Sequence, residues 1–200
     1  MSFNQLGSEL PKRGNRFTAM LGRGLFKGMG WTLEGEFPNQ PKMIVAVAPH
    51  TSNIDFLLAA GVFLGHGLHV SYLAKQSLFK FPLGSLMSAL GGIPVDQRSS
   101  QGLVGQLTER FNSTSRMVLG ITPEGTRGKV QEWKKGFAMI AQATNVPILP
   151  AIADYKSKIV RLEKLITEVH DTDYVMRTMK SLAANATPRF PRKYLDSKYN

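Results

Sequence analysis

The sequence predicts an α/β fold: a single domain with a largely parallel or mixed central sheet flanked by helices, preceded by an N-terminal amphipathic helix. Short apolar runs alternate along the chain with longer segments of helical periodicity, which is typical of strands joined by crossover helices. The chain has 200 residues, a length that suits one domain, and it shows no internal repeat or interdomain linker. We therefore assign residues 31–200 to one domain and residues 1–30 to an N-terminal basic amphipathic segment.

The N-terminal segment predicts a helix near residues 16–29. Its apolar side chains recur at helical spacing and form one stripe, whose members are Phe17, Met20, Leu21, Leu25 and Met29. Basic residues lie mostly off this stripe, as in helices that bind an anionic membrane interface: Arg16, Arg23 and Lys27. A helix that packs its stripe on the domain has the same pattern, and the glycines of this segment weaken either helix. Both interpretations stay open.

The remaining elements follow from the apolar pattern. A strand is predicted near residues 43–48, where an unbroken apolar run ends at Pro49, and a helix near 54–65, with Ser52 or Asn53 as its N-cap. Similar apolar runs predict the other strands, near residues 69–74, 93–96, 117–121 and 147–153, with a further strand over 158–162. The other helices are predicted near residues 83–90, 100–113, 134–144 and 172–186.

The chain is strongly basic, with 25 Lys and Arg against 14 Asp and Glu and a formal net charge of +11. Such a charge favours anionic partners, either nucleic acid or the headgroups of a membrane. The sequence contains no zinc finger, RNA-recognition motif or basic–aromatic repeat, so nucleic-acid binding rests on charge alone and is not expected. The absence of Cys excludes thiol-based catalysis and thiolate metal sites.

We expect a cytoplasmic protein. The first 17 residues lack the apolar core of a signal peptide, and no uncharged apolar stretch approaches the ~20 residues that a membrane span needs. The lack of Cys fits a reducing compartment. His66 and His69 have a spacing that metal ligands use, but no acidic cluster lies near them in the sequence, and we predict no metal site.

A His and an Asp stand five positions apart at the junction of the first predicted strand and helix. His50 follows the strand, at the sheet edge where open α/β proteins bind ligands, and Asp55 falls in the first helical turn. A carboxylate bonded to one imidazole nitrogen fixes the tautomer and makes the other nitrogen a better base. Since the chain has no Gly-x-Ser-x-Gly nucleophile motif, the pair suits activation of a substrate hydroxyl. In the alternative interpretation, His50 binds a loop carbonyl and Asp55 only caps the helix.

A second polar motif follows the apolar strand near residues 117–121. It reads Thr-Pro-Glu-Gly-Thr-Arg-Gly over residues 122–128. Pro and Gly end the strand and let the backbone approach a ligand closely, while the planar fork of Arg127 suits a phosphate and Thr126 adds a donor. Glu124 is placed to orient the Arg or the hydroxyls of an acceptor. An ordinary strand-end turn with a solvated Arg has the same sequence.

Together the two motifs resemble the glycerolipid acyltransferase family, of the lysophosphatidic acid acyltransferase type. The family's His-x-x-x-x-Asp and Glu-Gly-Thr-Arg motifs stand here unaltered and in order. Residues 91–98 resemble the second block of the family and residues 146–151 its fourth, so that the resemblance extends over residues 43–155. It implies transfer of a fatty acyl group from acyl-CoA or acyl carrier protein to a hydroxyl of a lysophospholipid-type acceptor, above all lysophosphatidic acid, in phospholipid synthesis.

The resemblance also implies roles for individual residues. His50 would be the general base and Asp55 its partner, with the thioester as co-substrate and neither a cofactor nor a metal. The acceptor phosphate would be held by Arg98 and by the second motif, that is, by Glu124, Gly125, Thr126 and Arg127. The acyl or donor side would be shaped by Val146, Pro147, Ile148 and Pro150, although an apolar strand with two prolines also suits a core. The protein would act as a peripheral protein on the anionic inner face of the cell membrane.

One departure from the family pattern leaves the acceptor open. The second block usually reads Asp-Arg, whereas here Gln97 stands between Asp96 and Arg98. Either Arg98 or Gln97 fills the role of the family's Arg, so the head group of the acceptor is not fixed. The alternatives are an acyltransferase for another acceptor, such as glycerol phosphate or an amino-acid lipid, and a non-catalytic peripheral membrane protein.

Overall fold

The computed structural model describes residues 6–82, 84–95, 102–126 and 132–191. Within these ranges seven strands form one sheet, in the spatial order β1-β7-β6-β2-β5-β3-β4. The strands are β1 (Thr32–Glu34), β2 (Lys42–Ala48), β3 (Val70–Lys75), β4 (Gly92–Val95), β5 (Met117–Ile121), β6 (Ile148–Asp154) and β7 (Ile159–Leu162). The helices are α1 (Arg16–Gly28), α2 (Asn53–His66), α3 (Gly84–Ala89), α4 (Gly102–Ser113), α5 (Gly136–Thr144) and α6 (Thr172–Ala183), with a 3₁₀ turn over Gln76–Phe79.

Five neighbouring strands of the sheet, from β6 to β4, are parallel, and β7 pairs antiparallel with β6 through a tight turn. The edge strand β1 pairs parallel with β7. The prediction of a single α/β domain with a largely parallel or mixed sheet is therefore confirmed. The sequence did not predict β1, because a strand of three residues is too short to show alternation.

Strand β2 is the central strand and is covered on both faces. Ile44 and Ala46 face a core shared with α4, α5 and α6, whereas Met43 and Val45 face a second core that lies beside α2. All four side chains have no exposed surface. A strand covered on both sides reads as a continuous apolar run, which is why this segment stands out in the sequence. The strand delivers the following loop to the carboxyl edge of the sheet.

Helix α1 packs on α2 through its glycines and one aromatic side chain. A Cβ atom on Gly22 would lie 2.4 Å from the backbone nitrogen of Gly65, and Phe26 is fully buried against Gly61 and the adjoining core. These contacts make the two helices antiparallel, so that the end of α1 lies beside the start of α2. Asn15 begins α1 with a capping box, accepting hydrogen bonds from the backbone N–H groups of Phe17 and Thr18.

The apolar stripe predicted on α1 does not form this packing surface. Phe17 and Met20 are 61% and 60% exposed, and Leu21 and Leu25 are also exposed. Met29 alone among the five is partly buried, against the core that contains Phe26. The helix thus contacts the domain with one face and presents an apolar face outward. The boundary at residue 30 between this segment and the rest of the domain remains a prediction.

Candidate active site

The predicted catalytic His lies where the central strand ends. Strand β2 pairs with β5 on one side and β6 on the other, and its last residue, Ala48, is joined to Pro49 by a cis peptide bond. His50 follows, with 16% of its side chain exposed. The carboxyl ends of parallel strands converge at this edge of the sheet, which is the usual ligand-binding edge of open α/β folds.

His50 and Asp55 form the predicted pair. The distance from His50 Nδ1 to Asp55 Oδ2 is 3.3 Å, and the Asp55 side chain is only 1% exposed. A bond from Nδ1 to a carboxylate leaves the lone pair of the imidazole on Nε2, which is the arrangement of a general base.

Asp55 also caps its own helix, so it combines the helix cap of the alternative interpretation with the contact to His50. Its Oδ2 accepts hydrogen bonds from the backbone N–H groups of Thr51 (2.7 Å) and Ser52 (2.8 Å), while the Ser52 hydroxyl accepts one from the N–H of Ile54. Burial on its own would raise the pKa of Asp55, but hydrogen bonds from His50, Tyr155, Ser52 and Thr51 hold that pKa below its ordinary value. The carboxylate therefore stays charged next to the imidazole.

Glu124 joins the second motif to the first. It follows β5, is 2% exposed, and its Oε1 accepts a hydrogen bond from the backbone N–H of His50 at 2.9 Å. Its Oε2 is buried without a hydrogen-bond partner among the described residues. Burial raises the pKa of Glu124 from 4.5 to about 8, and the charge of Asp55 acts in the same direction. The role of Glu124 in aligning the acceptor site remains a prediction, and in the structure its carboxyl group bonds the backbone of His50.

Gly125 and Thr126 of the second motif lie at the surface of the same edge. Gly125 has a φ of +66°, and a Cβ atom there would lie 2.9 Å from Cγ of Lys134, so the turn requires glycine. Thr126 follows it and is exposed. Arg127, Arg98 and Gln97 lie outside the described residues, as do the predicted ends of β4 at residue 96, of α3 at residue 83 and of α4 at residues 100 and 101.

The fourth sequence block begins far from the His50–Asp55 pair and runs toward it along β6. Ile148 pairs with Ile44, near the amino end of β2, and Val146 and Ile148 are buried in the core. Four residues separate that level from Ala48, about 13 Å at the ~3.3 Å rise of a strand. Pro147 is half-buried and Pro150 is buried. Val146 and Ile148 thus lie far from His50, whereas Pro150 pairs with Ala46, only two residues before the end of β2. The role of these residues on the donor side remains a prediction.

Sequence reasoning missed Tyr155 and a C-terminal strap over residues 187–190. Tyr155 directly follows β6, and its hydroxyl donates to Asp55 Oδ1. In the strap, the N–H of Phe190 donates to the hydroxyl of Thr51 at 3.2 Å, and Arg189 Nη1 lies 3.5 Å from Ser52 Oγ. The one available signal was that Tyr155 is polar and follows a strand next to β2. The strap gave no signal, because no pattern in residues 187–190 indicates what they contact.

Comparisons with known proteins agree with the resemblance seen in the motifs. The family model described as "Acyltransferase" matches residues 32–154. A 1-acyl-sn-glycerol-3-phosphate acyltransferase of Saccharomyces cerevisiae is 28% identical over 144 residues, which are 68% of this chain and 46% of the yeast protein. One from Cocos nucifera is 29% identical over 150 residues, 70% of this chain and 47% of that protein. The chain thus spans about half the length of these curated relatives.

A solved structure shares the fold. It is the crystal structure of the 1-acyl-sn-glycerophosphate (LPA) acyltransferase PlsC from Thermotoga maritima, which aligns with a TM-score of 0.56 and 22% identity. The alignment covers 86% of this chain and 81% of the other. The region matched by the family model contains both motifs and ends one residue before Tyr155.

Proposed function

Because the chain belongs to the acyltransferase family, we propose that it transfers a fatty acyl group from a thioester to the hydroxyl of a lysophospholipid acceptor, lysophosphatidic acid first among them. The observation that carries this proposal is the His50–Asp55 pair at the carboxyl end of the central strand. The donor is acyl-CoA or acyl carrier protein, and the proposed chemistry uses no resident cofactor or metal.

The reaction starts from the free lone pair of the imidazole. His50 Nε2 removes the proton of the acceptor hydroxyl while that oxygen attacks the thioester carbonyl, and Asp55 stabilises the imidazolium. The tetrahedral intermediate collapses with cleavage of the C–S bond, and the imidazolium returns its proton to the leaving thiolate. Ester formation and thiol release therefore balance without a covalent enzyme intermediate.

The serine beside the dyad is not the nucleophile in this scheme. Ser52 is 6% exposed, its hydroxyl accepts the N–H of Ile54, and it lies 3.3 Å from Asp55 Oδ1. A hydroxyl used as a helix N-cap and turned toward the carboxylate is unavailable for attack on a thioester. A direct transfer from donor to acceptor is the mechanism that fits.

The acceptor phosphate is proposed to bind at the turn after Glu124. Gly125 and Thr126 are exposed there, and Arg127 comes next in the sequence. A guanidinium binds phosphate through two parallel hydrogen bonds, which an ammonium group does not reproduce. Arg98 or Gln97 is proposed to complete this site.

The expected acceptor is a lipid, so we propose that the protein works as a peripheral protein on the inner face of the cell membrane. The apolar face of α1, with Phe17, Met20 and Leu21 exposed, supports this, as does the net charge of +11. Because α1 and α2 are antiparallel, the end of α1 lies at the catalytic edge, where Met29 and Ile54 pack in one cluster. Within the described part of the chain, no helix is long and apolar enough to cross a membrane.

The test is an acyl-transfer assay with a panel of acceptors and both types of donor. We expect turnover by the wild-type protein, and its loss in His50→Ala without a change in the circular dichroism spectrum. Asp55→Asn should also be severely impaired, because an amide does not stabilise imidazolium. His170→Ala is the matched control, since His170 is exposed and lies in the loop before α6. Near-normal turnover by purified His50→Ala would exclude the mechanism.

The panel also separates the alternatives. Transfer only to glycerol phosphate or to an amino-acid lipid would keep the mechanism and change the acceptor. Binding to vesicles of anionic lipid with no transfer to any acceptor would indicate the non-catalytic peripheral protein instead.

A further inference from the structure

Tyr155 contacts Asp55 on the side away from His50. Its hydroxyl donates to Asp55 Oδ1, the oxygen that does not bind His50, across a sequence separation of 100 residues. The family motifs do not include this residue, and the matched region stops just before it.

The structure holds Tyr155 at three points. Its backbone N–H donates to the carbonyl of Thr187 at 2.9 Å, and the ring of Trp31 packs edge-on against its ring, with centroids 4.8 Å apart and an interplanar angle of 83°. The hydroxyl contact to Asp55 is the third point. A side chain fixed by its backbone, ring and hydroxyl keeps one orientation, so its effect on the carboxylate is permanent.

The two oxygens of Asp55 are shared among donors from several elements. Oδ2 accepts from the backbone of Thr51 and Ser52 and faces His50, while Oδ1 accepts from Tyr155 and the Ser52 hydroxyl. Each hydrogen bond that a carboxylate accepts offsets part of its negative charge, so each added donor weakens its attraction for the imidazolium.

Few other charged groups reach this pair. Among the described residues the titratable side chains that face it are Glu124 after β5, Tyr155 after β6 and Arg189 of the C-terminal strap. Burial, together with the hydrogen bond to Asp55, raises the pKa of Tyr155, so its hydroxyl keeps its proton and remains a donor. Glu124 bonds the backbone of His50 and not its ring.

We propose that Tyr155 is a positioning residue of this site: its hydroxyl holds Asp55 and limits how strongly that carboxylate stabilises the protonated form of His50. The consequence for turnover rests on the proposed function, whereas the consequence for proton binding does not. Without the hydroxyl, Asp55 keeps more charge for the imidazolium, and His50 holds its proton to higher pH. The imidazole then carries a proton, and cannot act as a base, over a wider range of pH.

The test follows the His50 imidazole by NMR as a function of pH in the protein without substrate. In Tyr155→Phe we expect the midpoint of the His50 titration to move to higher pH by about 0.3 to 1 pH unit, a fraction of the strength of one charged hydrogen bond. The His50→Ala variant assigns the signal. Tyr174→Phe is the control, because it removes the same atom from an exposed tyrosine on α6.

A second substitution covers the case in which Tyr155→Phe does not fold. Incorporation of 3-fluorotyrosine at position 155 keeps the ring and strengthens the donor, so the midpoint should move to lower pH. An unchanged midpoint in both variants, or a shift of either in the opposite direction, overturns the proposal.

The kinetic readout distinguishes this proposal from the function itself. If acyl transfer is observed, the acidic limb of the pH profile of kcat/KM should move to higher pH in Tyr155→Phe, by the same amount as the NMR midpoint. A moved midpoint in a protein that transfers acyl groups to no acceptor would support the role of Tyr155 and reject the proposed function. An unmoved midpoint in a protein that does transfer acyl groups would support the proposed function and reject the role of Tyr155.

Discussion

The buried carboxyl of Glu124 makes the stability of the protein depend on pH. Its pKa is raised from 4.5 to about 8 in the folded state, so between these values the folded protein binds a proton that the unfolded chain has released. The contribution of Glu124 to stability must therefore fall as pH rises through this interval, because at this group the unfolded state binds fewer protons. The rise of the pKa corresponds to about 5 kcal/mol, at ~1.4 kcal/mol for each tenfold change in the dissociation constant.

The perturbation that tests this dependence is Glu124→Gln. The amide keeps an oxygen that accepts the N–H of His50 and cannot ionise, so it reproduces the neutral acid at every pH. We expect the free energy of unfolding of the wild type to drop relative to that of the variant by most of about 5 kcal/mol between pH 5 and pH 8. Such a change is large beside a typical total stability of about 5–15 kcal/mol.

The measurement is denaturant unfolding of both proteins at intervals from pH 5 to pH 9, with circular dichroism as the signal. Glu168→Gln serves as the control, since Glu168 is exposed and its variant should follow the wild type. If the curves of wild type and Glu124→Gln run parallel across this range, Glu124 ionises normally, and the account of its unpartnered Oε2 is wrong.

Three further outcomes are expected. Arg127→Lys should raise the KM for a phosphorylated acceptor by about 10- to 100-fold while that for the thioester changes little, since one lost charged hydrogen bond costs ~1.5–3 kcal/mol; an effect on the KM of the donor alone would show that the phosphate site is assigned to the wrong residue. Replacing Met20 and Leu21 together by Ser should weaken sedimentation with anionic vesicles and leave the melting temperature nearly unchanged, because both side chains are exposed; a lower melting temperature with intact vesicle binding would mean that this face is structural. Gly22→Leu should lower the melting temperature by several degrees, because a Cβ there meets the backbone of α2; an unchanged melting curve would contradict the close packing of the two helices.

The elements that the sequence predicted well are those with a strong local signal. The apolar run before His50 is long because both faces of β2 are buried, and Ser52 marks the start of α2 as its N-cap. The pairing of His50 with Asp55 was also accessible, because five residues across a capped helix start bring the two side chains together. Local chemistry determines all three features.

The features that the sequence did not reveal depend on distant contacts. No local pattern indicated that Glu124 bonds the backbone of His50, 74 residues away in sequence. Tyr155 reaches Asp55 only because β6 and β2 are neighbours in the sheet, an order that alternation of elements does not specify. The stripe of α1 was read correctly as apolar, but the helix packs through Gly22 and Phe26, whose roles depend on how closely α2 approaches.

The strap over residues 187–190 makes the loop around His50 depend on a segment that is synthesised long after the loop itself. The backbone of His50 can bond Glu124, and Asp55 can bond Tyr155, only after those later residues have been synthesised. The bond from Phe190 to Thr51 forms only when residue 190 has emerged, 139 positions later. At ~5–20 residues per second a ribosome needs on the order of 10–30 s for that interval. A nascent chain can therefore assemble its sheet, whose last strand ends at Leu162, before the strap contacts form. A secondary-structure spectrum, which reports the sheet and the helices, would therefore not show whether residue 190 has reached Thr51, and detecting that contact requires a local probe.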